Sequence, residues 1–407
     1  MTAQTAPPAT TSPNDATASS GPSAPPLHLL FLVADTGGGH RASAEAVARR
    51  LAVAHPGRFA THILDPFVQA SPRVIGRVVG LYSPITRHAP WLWGAIYHAT
   101  NSRTAVAALR GSALRLVEPG LRDVVAALRP ALVVSFHPLL NHVAWRALRR
   151  MSGPRVPLAT VITDLVDVHA AWTCADVDAV VTSSPGGLDR ARRAGVPADR
   201  CFDLGLPVDD SFASPAPAGS ARRSLRQRLG LAPDRFTVVL SGGGEGSGGL
   251  ARRATAVLDA GLGVDVVVIC GRNTKAREAL ESQGTPHLRV LGFVDNMSDW
   301  LRACDLLITK AGPGTIAEAL CSRAPLLLTS YIPGQERGNV DMVVDTGAGR
   351  YVPRLHDMVD AVRELSQPGS TSLAAMREAI RHAARPHATA QIADLVARLA
   401  APATVSA

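Results

Sequence analysis

The 407-residue chain has few cysteines, very little lysine and no long apolar segment. Its five cysteines stand singly, without a Cys-x-x-Cys or Cys-x-x-His pair, which argues against a disulfide framework or structural zinc and fits a reducing compartment. No apolar run approaches the roughly 20 residues that span a bilayer. Lys275 and Lys310 are the only lysines among 42 basic residues. Such a bias beside abundant alanine and glycine is typical of a GC-rich genome, so the net charge of +9 does not by itself indicate nucleic acid.

The chain is predicted to form two similar α/β halves. Residues 1–26 are rich in Ala, Thr, Ser and Pro and lack the basic and apolar regions of a signal peptide, so we expect a disordered tail. Afterwards short apolar runs alternate with helical stretches, which predicts parallel sheets with right-handed crossovers. The predicted strands are 27–34, 61–64, 131–136, 156–162, 179–182 and 201–204, then 236–240, 264–269, 288–291, 306–309 and 326–329.

A Pro/Ala/Ser-rich segment separates the two series of strands. We therefore predict two Rossmann-like domains facing each other across a cleft, at 27–206 and 222–370, joined by a linker at 207–221. Residues 371–407 would form a C-terminal helix, able to pack back on the first domain, and a tail.

Each half opens with a glycine-rich loop after its first strand. Residues 37–41 read GGGHR and residues 242–244 read GGG. Glycines permit tight turns and bring backbone amides close to a ligand, and ligands of such sheets bind at the carboxyl ends of strands. The alternative for His40 is an incidental residue behind a helix cap. The first loop is not Gly-x-Gly-x-x-Gly and no acidic residue follows at the expected distance, which disfavours a dinucleotide site.

Two further loops of the second half suit a nucleotide sugar. At 309–318 a strand, a Gly/Pro turn and a helix would present backbone amides to a diphosphate. Glu318 is then either a ribose ligand or, with Thr315, half of a capping box that serves only the helix. Residues 334–339 (GQERGN) carry amide and carboxylate groups that can bind sugar hydroxyls.

Histidines and carboxylates follow two strands of the first half, in SFHPLLNH (135–142) and TDLVDVHAAW (163–172). Their spacing matches no strong metal signature, and histidines at strand ends more often bond to polar groups. We therefore expect no metal site.

Taken together, these segments resemble the monogalactosyldiacylglycerol synthases and the related bacterial diacylglycerol glucosyltransferases, relatives of the peptidoglycan lipid-linked N-acetylglucosaminyltransferase. The resemblance covers nearly all of 27–360 and is closest to the plant galactolipid enzymes. The matching motifs, in the family's order, are DTGGGHRASAEAV (35–47), SFHPLLNH (135–142), VITDLVDVHAAW (161–172), GLPV (205–208), GGGEG (242–246), CGRN (270–273), TKAGPGTIAEA (309–319) and GQERGN (334–339).

The resemblance implies a metal-independent, cofactor-free glycosyltransferase of the GT-B type. It would transfer galactose or glucose, with inversion, from a UDP-sugar held by the second domain to the hydroxyl of diacylglycerol. One alternative is a relative that acts on another lipid-linked acceptor; another is a catalytically silent membrane-binding homologue. Where the plant enzymes have Phe and His after the residue matching Trp172, this chain has Thr173 and Cys174.

The resemblance also implies roles for single residues. On the donor side, the diphosphate would contact Gly312, Pro313, Gly314 and Thr315, the ribose Glu318, the uracil Phe293, and the sugar Gln335 and Glu336, with Gly243, Gly244, Arg272 and Asn339 as further donor-site residues. On the acceptor side are Gly38, Gly39, His137, Pro138, Trp172, Trp91 and Trp93. His40 is the first candidate for the base because an imidazole titrates near neutrality, and Asp164 is the second.

Residues 66–112 match the family least, and residues 66–115 contain six arginines but no Asp or Glu. Five aromatic residues are interleaved with them. This composition suits an anionic lipid surface, at about 1 kcal/mol per basic residue near it. The alternative is a pair of solvated helices with tryptophans in the core. We expect a cytoplasmic protein bound peripherally to the inner face of the cell membrane, without a nucleic-acid partner.

Overall fold

A computed structural model describes residues 25–35, 38–214 and 217–401, which form two lobes. All but the last two residues of the predicted tail, and also Gly37, lie outside the described residues. Each lobe contains one sheet of six parallel strands covered by helices. The predicted fold class is confirmed.

The sheet of the first lobe has the order β2-β1-β3-β4-β5-β6. Its strands are β1 (Leu27–Leu32), β2 (Phe59–Leu64), β3 (Leu132–Ser135), β4 (Leu158–Val161), β5 (Ala179–Thr182) and β6 (Cys201–Asp203). Its helices are α1 (Gly39–Ala54), α2 (Pro66–Gln69), α3 (Arg73–Gly80), α4 (Tyr82–His88), α5 (Pro90–Thr100), α6 (Arg103–Gly111), α7 (Glu118–Leu128), α8 (Leu140–Arg149) and α9 (Pro185–Arg193). The central strands are buried on both faces, as continuous apolar runs in a parallel sheet require.

The sheet of the second lobe has the order β12-β11-β10-β7-β8-β9. Its strands are β7 (Thr237–Ser241), β8 (Asp265–Ile269), β9 (Leu288–Leu291), β10 (Leu306–Thr309), β11 (Leu326–Leu328) and β12 (Gly349–Tyr351). The remaining helices are α10 (Asp210–Ala213), α11 (Gly219–Arg228), α12 (Leu250–Asp259), α13 (Thr274–Glu281), α14 (Met297–Ala303), α15 (Pro313–Cys321), α16 (Arg337–Asp345), α17 (Leu355–Leu365), α18 (Thr371–Ala383) and α19 (Ala388–Ala400).

Every predicted strand is present, with bounds that differ by at most two residues. The sequence did not predict β12, because its three residues, Gly-Arg-Tyr, form no apolar run. Among the described residues, no helix combines the length and the apolar character required to cross a bilayer.

The chain passes between the lobes twice, once after β6 and once between α18 and α19. The two passing segments are joined by Thr389, whose hydroxyl accepts from the Val208 amide at 3.0 Å and donates to the Val208 carbonyl at 2.6 Å. Helix α19 then packs on the first lobe, where Ile392 and Val396 join the core that contains Leu29 and Val47. The second lobe is thus inserted into the first.

Candidate functional site

The cleft between the lobes is lined by the segments that follow the carboxyl ends of both sets of strands. In the first lobe these segments follow β1, β3 and β4; in the second they follow β7, β8, β10 and β11. Parallel strands present these ends at one edge, where such folds bind ligands. The predicted site residues of the two sheets therefore face one another.

His40 lies at the start of α1, half-buried, beside the end of β4. Its Nδ1 is 2.7 Å from the Thr163 hydroxyl, and its ring is 5.0 Å from that of His137. Burial lowers the pKa of His40 to about 4, against the opposing effects of the Phe136 carbonyl and the Asp35 charge. The imidazole is therefore neutral at pH 7. When Nδ1 carries the proton and donates to Thr163, Nε2 keeps a lone pair that can accept a proton.

Asp164 follows Thr163 directly and is almost completely buried. Its Oδ2 accepts from the Trp172 indole at 2.6 Å, and its Oδ1 accepts from Gln335 Nε2 at 3.4 Å. Burial raises the pKa of Asp164 to about 6, and the nearby Glu336 charge adds to the increase. A carboxyl group that titrates near neutrality has the pKa of a general base.

Trp172 was predicted on the acceptor side, but its side chain is fully buried. In this structure its polar contact is the hydrogen bond to Asp164. Its position suits a residue that fixes the Asp164 carboxylate. The only sequence feature that indicates this pairing is the TDLVDVHAAW motif, which contains both Asp164 and Trp172.

Several polar contacts join the lobes across the cleft, and three of them involve charged side chains. Gln335 donates to Asp164, as described above. The amide of Gly338 donates to Asp167 Oδ2 at 2.6 Å, and Arg87 donates to Glu245 at 2.9 Å. The predicted sugar loop of the second lobe, residues 332–339, is therefore joined to Asp164 and Asp167 of the first lobe.

The diphosphate segment begins α15 without a side-chain cap. Gly312 is the N-cap residue, and the helix starts at Pro313. Thr315 and Glu318 are therefore the third and sixth helical residues, which excludes the capping box that they would form if Thr315 were the N-cap. The free amides of this first turn are suited to an anion.

Glu318 is half-buried in α15, and no described residue forms a hydrogen bond with its carboxylate. Burial raises its pKa to about 7, and the charge of Asp209 adds to the increase. An unpartnered carboxylate beside the cleft fits a ribose ligand better than a structural role.

Glu336 and Asn339 support the sugar loop from the inside. The buried Glu336 pairs with Lys310 Nζ at 2.7 Å through Oε1 and accepts from the Ile332 amide at 2.8 Å through Oε2. Asn339 donates to the Ala311 carbonyl at 2.9 Å. Two of the roughly four acceptor sites of the Glu336 carboxylate are therefore occupied from within the protein.

Lys310 is a candidate site residue that the sequence analysis did not single out. Besides pairing with Glu336, its ammonium lies so close to Gly312 that a Cβ added there would be 2.9 Å from Nζ. An ammonium has three donors, so the pair with Glu336 leaves two for a phosphate. The sequence feature that could have identified Lys310 is its position directly before the Gly/Pro turn.

The residues predicted to contact the nucleotide follow β7, β8 and β9, and they lie close together in the structure. The Arg272 guanidinium lies 5.3 Å from the centre of the Phe293 ring, which is 65% exposed, and it also donates to Glu245 at 3.1 Å. Gly244 faces both side chains, since an added Cβ would be 3.9 Å from Arg272 and 4.0 Å from Phe293. Gly243 has φ of 71°, which favours glycine.

The predicted acceptor residues differ in their exposure. His137 is buried, packs edge-on against His40 and Phe67, and has a pKa well below its ordinary value because of that burial. Pro138 is half-buried beside it, and Gly38 and Gly39 are exposed at the start of α1. This part of the predicted site is contiguous with His40.

Trp91 and Trp93 behave differently, although they are two residues apart on α5. Trp91 is 71% exposed. Trp93 is half-buried, with its ring edge-on to Tyr82 at 4.7 Å. Trp91 is available to a lipid surface, whereas Trp93 belongs to the packing of α4 and α5.

Helices α2 to α6 and the turn before α7 form what we call the arginine–aromatic surface, residues 66–116. Its large exposed apolar side chains are Val68, Val78, Leu81, Trp91, Leu92, Ile96 and Leu116. Exposed arginines alternate with them. Exposed apolar area of this kind commonly marks an interaction surface.

Within 25–35, 38–214 and 217–401, no group of three or more His, Cys, Asp or Glu side chains is placed to hold a metal ion. All five cysteines are free thiols.

Comparisons with known proteins match both halves of the chain. Residues 40–208 match the family model described as "Monogalactosyldiacylglycerol (MGDG) synthase", and residues 237–395 match the "Glycosyltransferase family 28 C-terminal domain". A probable monogalactosyldiacylglycerol synthase, chloroplastic, of Nicotiana tabacum is 36% identical over 384 residues, which are 91% of this chain and 70% of that protein. Monogalactosyldiacylglycerol synthase 1, chloroplastic, of Arabidopsis thaliana is 33% identical over 376 residues, covering 90% and 70%.

Solved structures share the fold at low sequence identity. MurG of Acinetobacter baumannii is 17% identical with a TM-score of 0.57, and the match covers 92% of this chain and all of that one. A UDP-glucosyltransferase of Polygonum tinctorium is 15% identical with a TM-score of 0.58, covering 93% and 99%.

Proposed function

The chain belongs to the monogalactosyldiacylglycerol synthase family, and we propose on that basis that it transfers galactose from UDP-galactose to the hydroxyl of diacylglycerol, making a galactolipid. The names of the curated relatives support galactose over glucose. The observation that carries the proposal is the hydrogen bond between Gln335 and Asp164, which joins the sugar loop to a carboxylate that titrates near neutrality.

The transfer would proceed as a single displacement with inversion. The diacylglycerol oxygen forms a bond to the anomeric carbon while the bond from that carbon to the diphosphate oxygen breaks. The acceptor proton passes to the base, and UDP leaves. His40 is the proposed base, supported by its neutral state and by the lone pair of Nε2; Asp164 is the alternative, supported by its higher pKa.

We propose that this chain stabilises the departing diphosphate without a metal ion. The uncapped backbone amides of α15 and the ammonium of Lys310 would provide this stabilisation. Their position around Gly312 supports the proposal. Adding a chelator should then leave the rate of transfer unchanged, and a loss restored by added Mg²⁺ would contradict the proposal.

The decisive experiment for the function offers purified protein UDP-[¹⁴C]galactose or UDP-[¹⁴C]glucose with vesicles that contain or lack diacylglycerol. We expect a labelled galactolipid only with UDP-galactose and diacylglycerol together. Equal turnover without diacylglycerol would refute the acceptor, and a preference for UDP-glucose would refute the sugar.

We further propose that the arginine–aromatic surface binds anionic lipid at the inner face of the cell membrane. Support comes from its exposed apolar side chains, the lack of Asp and Glu in residues 66–115, the free thiols of the chain and the lipid acceptor. The protein should co-sediment with anionic vesicles but not neutral ones. Added salt should weaken binding, because exposed charges are screened over about 8 Å at physiological ionic strength. Equal binding to both vesicle types would contradict the electrostatic part.

A further inference from the structure

The sugar loop is covered from behind by the arginine–aromatic surface. Three consecutive loop residues, 333–335, each contact a residue of α4 or α5. A Cβ added to Gly94 would lie 3.0 Å from Pro333, and one added to Gly334 would lie 2.8 Å from the Tyr97 ring. These close approaches leave the loop little room to move away from α5.

The third contact is a hydrogen bond. The hydroxyl of Tyr82, at the start of α4, donates to Gln335 Oε1 at 3.2 Å. The Tyr82 ring is itself packed edge-on by Trp93 at 4.7 Å. Burial raises the pKa of Tyr82, so the phenol stays protonated and remains a donor.

The two partners of Gln335 fix which way its amide points. Ionised Asp164 can only accept hydrogen bonds, so it requires the amide nitrogen, and the Tyr82 hydroxyl then meets the oxygen. One N–H of Gln335 is used by Asp164. The other is left for an oxygen of the donor sugar.

We propose that Tyr82 is a positioning residue for the donor sugar, which acts by orienting the Gln335 amide. This inference rests on the proposed function, because it assigns the sugar of the UDP-sugar to Gln335. It also makes the lipid-facing helices part of the donor site: α4 supplies the hydroxyl and α5 supplies Trp93, which holds its ring. Without the hydroxyl, the Gln335 side chain loses one of its two anchors and is held only by the 3.4 Å hydrogen bond to Asp164.

The test compares the affinities for UDP and for UDP-galactose by calorimetry, so it does not depend on turnover. In Tyr82→Phe the affinity for UDP-galactose should fall about fivefold, the usual effect of one hydrogen bond, while the affinity for UDP is unchanged. A merely structural role would weaken both ligands and lower the melting temperature. Tyr97→Phe is the matched control, because its hydroxyl donates to the Asp167 backbone carbonyl at 2.9 Å and not to a loop side chain.

A second variant shows whether Tyr82 acts through Gln335. Tyr82→Phe should have no further effect on UDP-galactose affinity in a Gln335→Ala background. A fivefold loss that persists in that background, or an unchanged affinity in Tyr82→Phe alone, would overturn the inference. The radiolabel assay run in parallel reports separately on the proposed function: failed transfer by the wild type refutes the function, whatever the binding ratio shows.

Discussion

Replacing His40 by alanine separates the two candidates for the base. A lost general base lowers kcat by about 10²–10⁴, and UDP binding to the second lobe should barely change. If His40 only supports the start of α1, activity should instead fall modestly and in step with the melting temperature. Asp164→Asn is the companion variant.

The pH dependence of the wild type adds a quantitative criterion. Burial places the pKa of His40 at about 4 and that of Asp164 at about 6. At pH 5 the imidazole would still be about 90% neutral, whereas the carboxyl group would be only about 9% ionised. With His40 as base, kcat at saturating UDP-galactose should therefore stay nearly flat from pH 8 to pH 5; with Asp164, it should halve at pH 6 and fall about tenfold by pH 5.

The assay is initial-rate galactose transfer with vesicle-bound diacylglycerol over pH 4.5–8.5, using variants whose melting temperatures are checked at each pH. A flat wild-type profile with a loss above 10²-fold in His40→Ala supports His40. An acid limb near pH 6, abolished transfer in Asp164→Asn and more than about a tenth of wild-type kcat in His40→Ala would refute the reasoning and assign the base to Asp164.

Three further sets of variants test other parts of the structure. Glu318→Ala should weaken UDP binding by roughly 1.5–3 kcal/mol in calorimetry. It should not lower the melting temperature at pH 8. Burial raises the pKa of Glu318 from 4.5 to about 7, so the ionised carboxylate costs folding stability as the pH rises through that range. An unchanged affinity with a lower melting temperature would contradict the ribose role. Lys310→Met should lower the free energy of unfolding by about 3 kcal/mol, because the buried Glu336 carboxylate loses its partner. Adding Glu336→Gln to this variant should restore most of the loss. Wild-type stability of Lys310→Met would contradict the importance of the ion pair. Trp91→Ala should reduce vesicle co-sedimentation at unchanged stability, whereas Trp93→Ala should destabilise the fold by roughly 1–3 kcal/mol; the reverse pattern would mean that their surroundings are misassigned.

Most of the fold could be predicted from the sequence because its strands are buried parallel strands. Such strands read as short apolar runs, and this pattern located β1 to β11. It failed at β12, which has only three residues and one arginine among them.

The site could be predicted in its motifs but not in its contacts. Gly312, Arg272 and Phe293 carry local signals, and the structure brings Arg272 and Phe293 together. The hydrogen bond from Tyr82 to Gln335, in contrast, joins residues 253 positions apart, and no local pattern encodes it. The low pKa of His40 and the burial of Trp172 likewise depend on tertiary packing, which residue types and spacing do not show.

The insertion of one lobe into the other has a consequence for biosynthesis. One face of the first sheet is covered by α1 and α19 together, so its core stays incomplete until Ile392 and Val396 of α19 have been translated. The second lobe has all six strands of its sheet between residues 237 and 351, so that sheet can be complete earlier on the ribosome. Folding would then finish with the half that begins the chain, the reverse of the usual N-terminal-first order. A truncation before α19 should leave an aggregation-prone first lobe beside a folded second one.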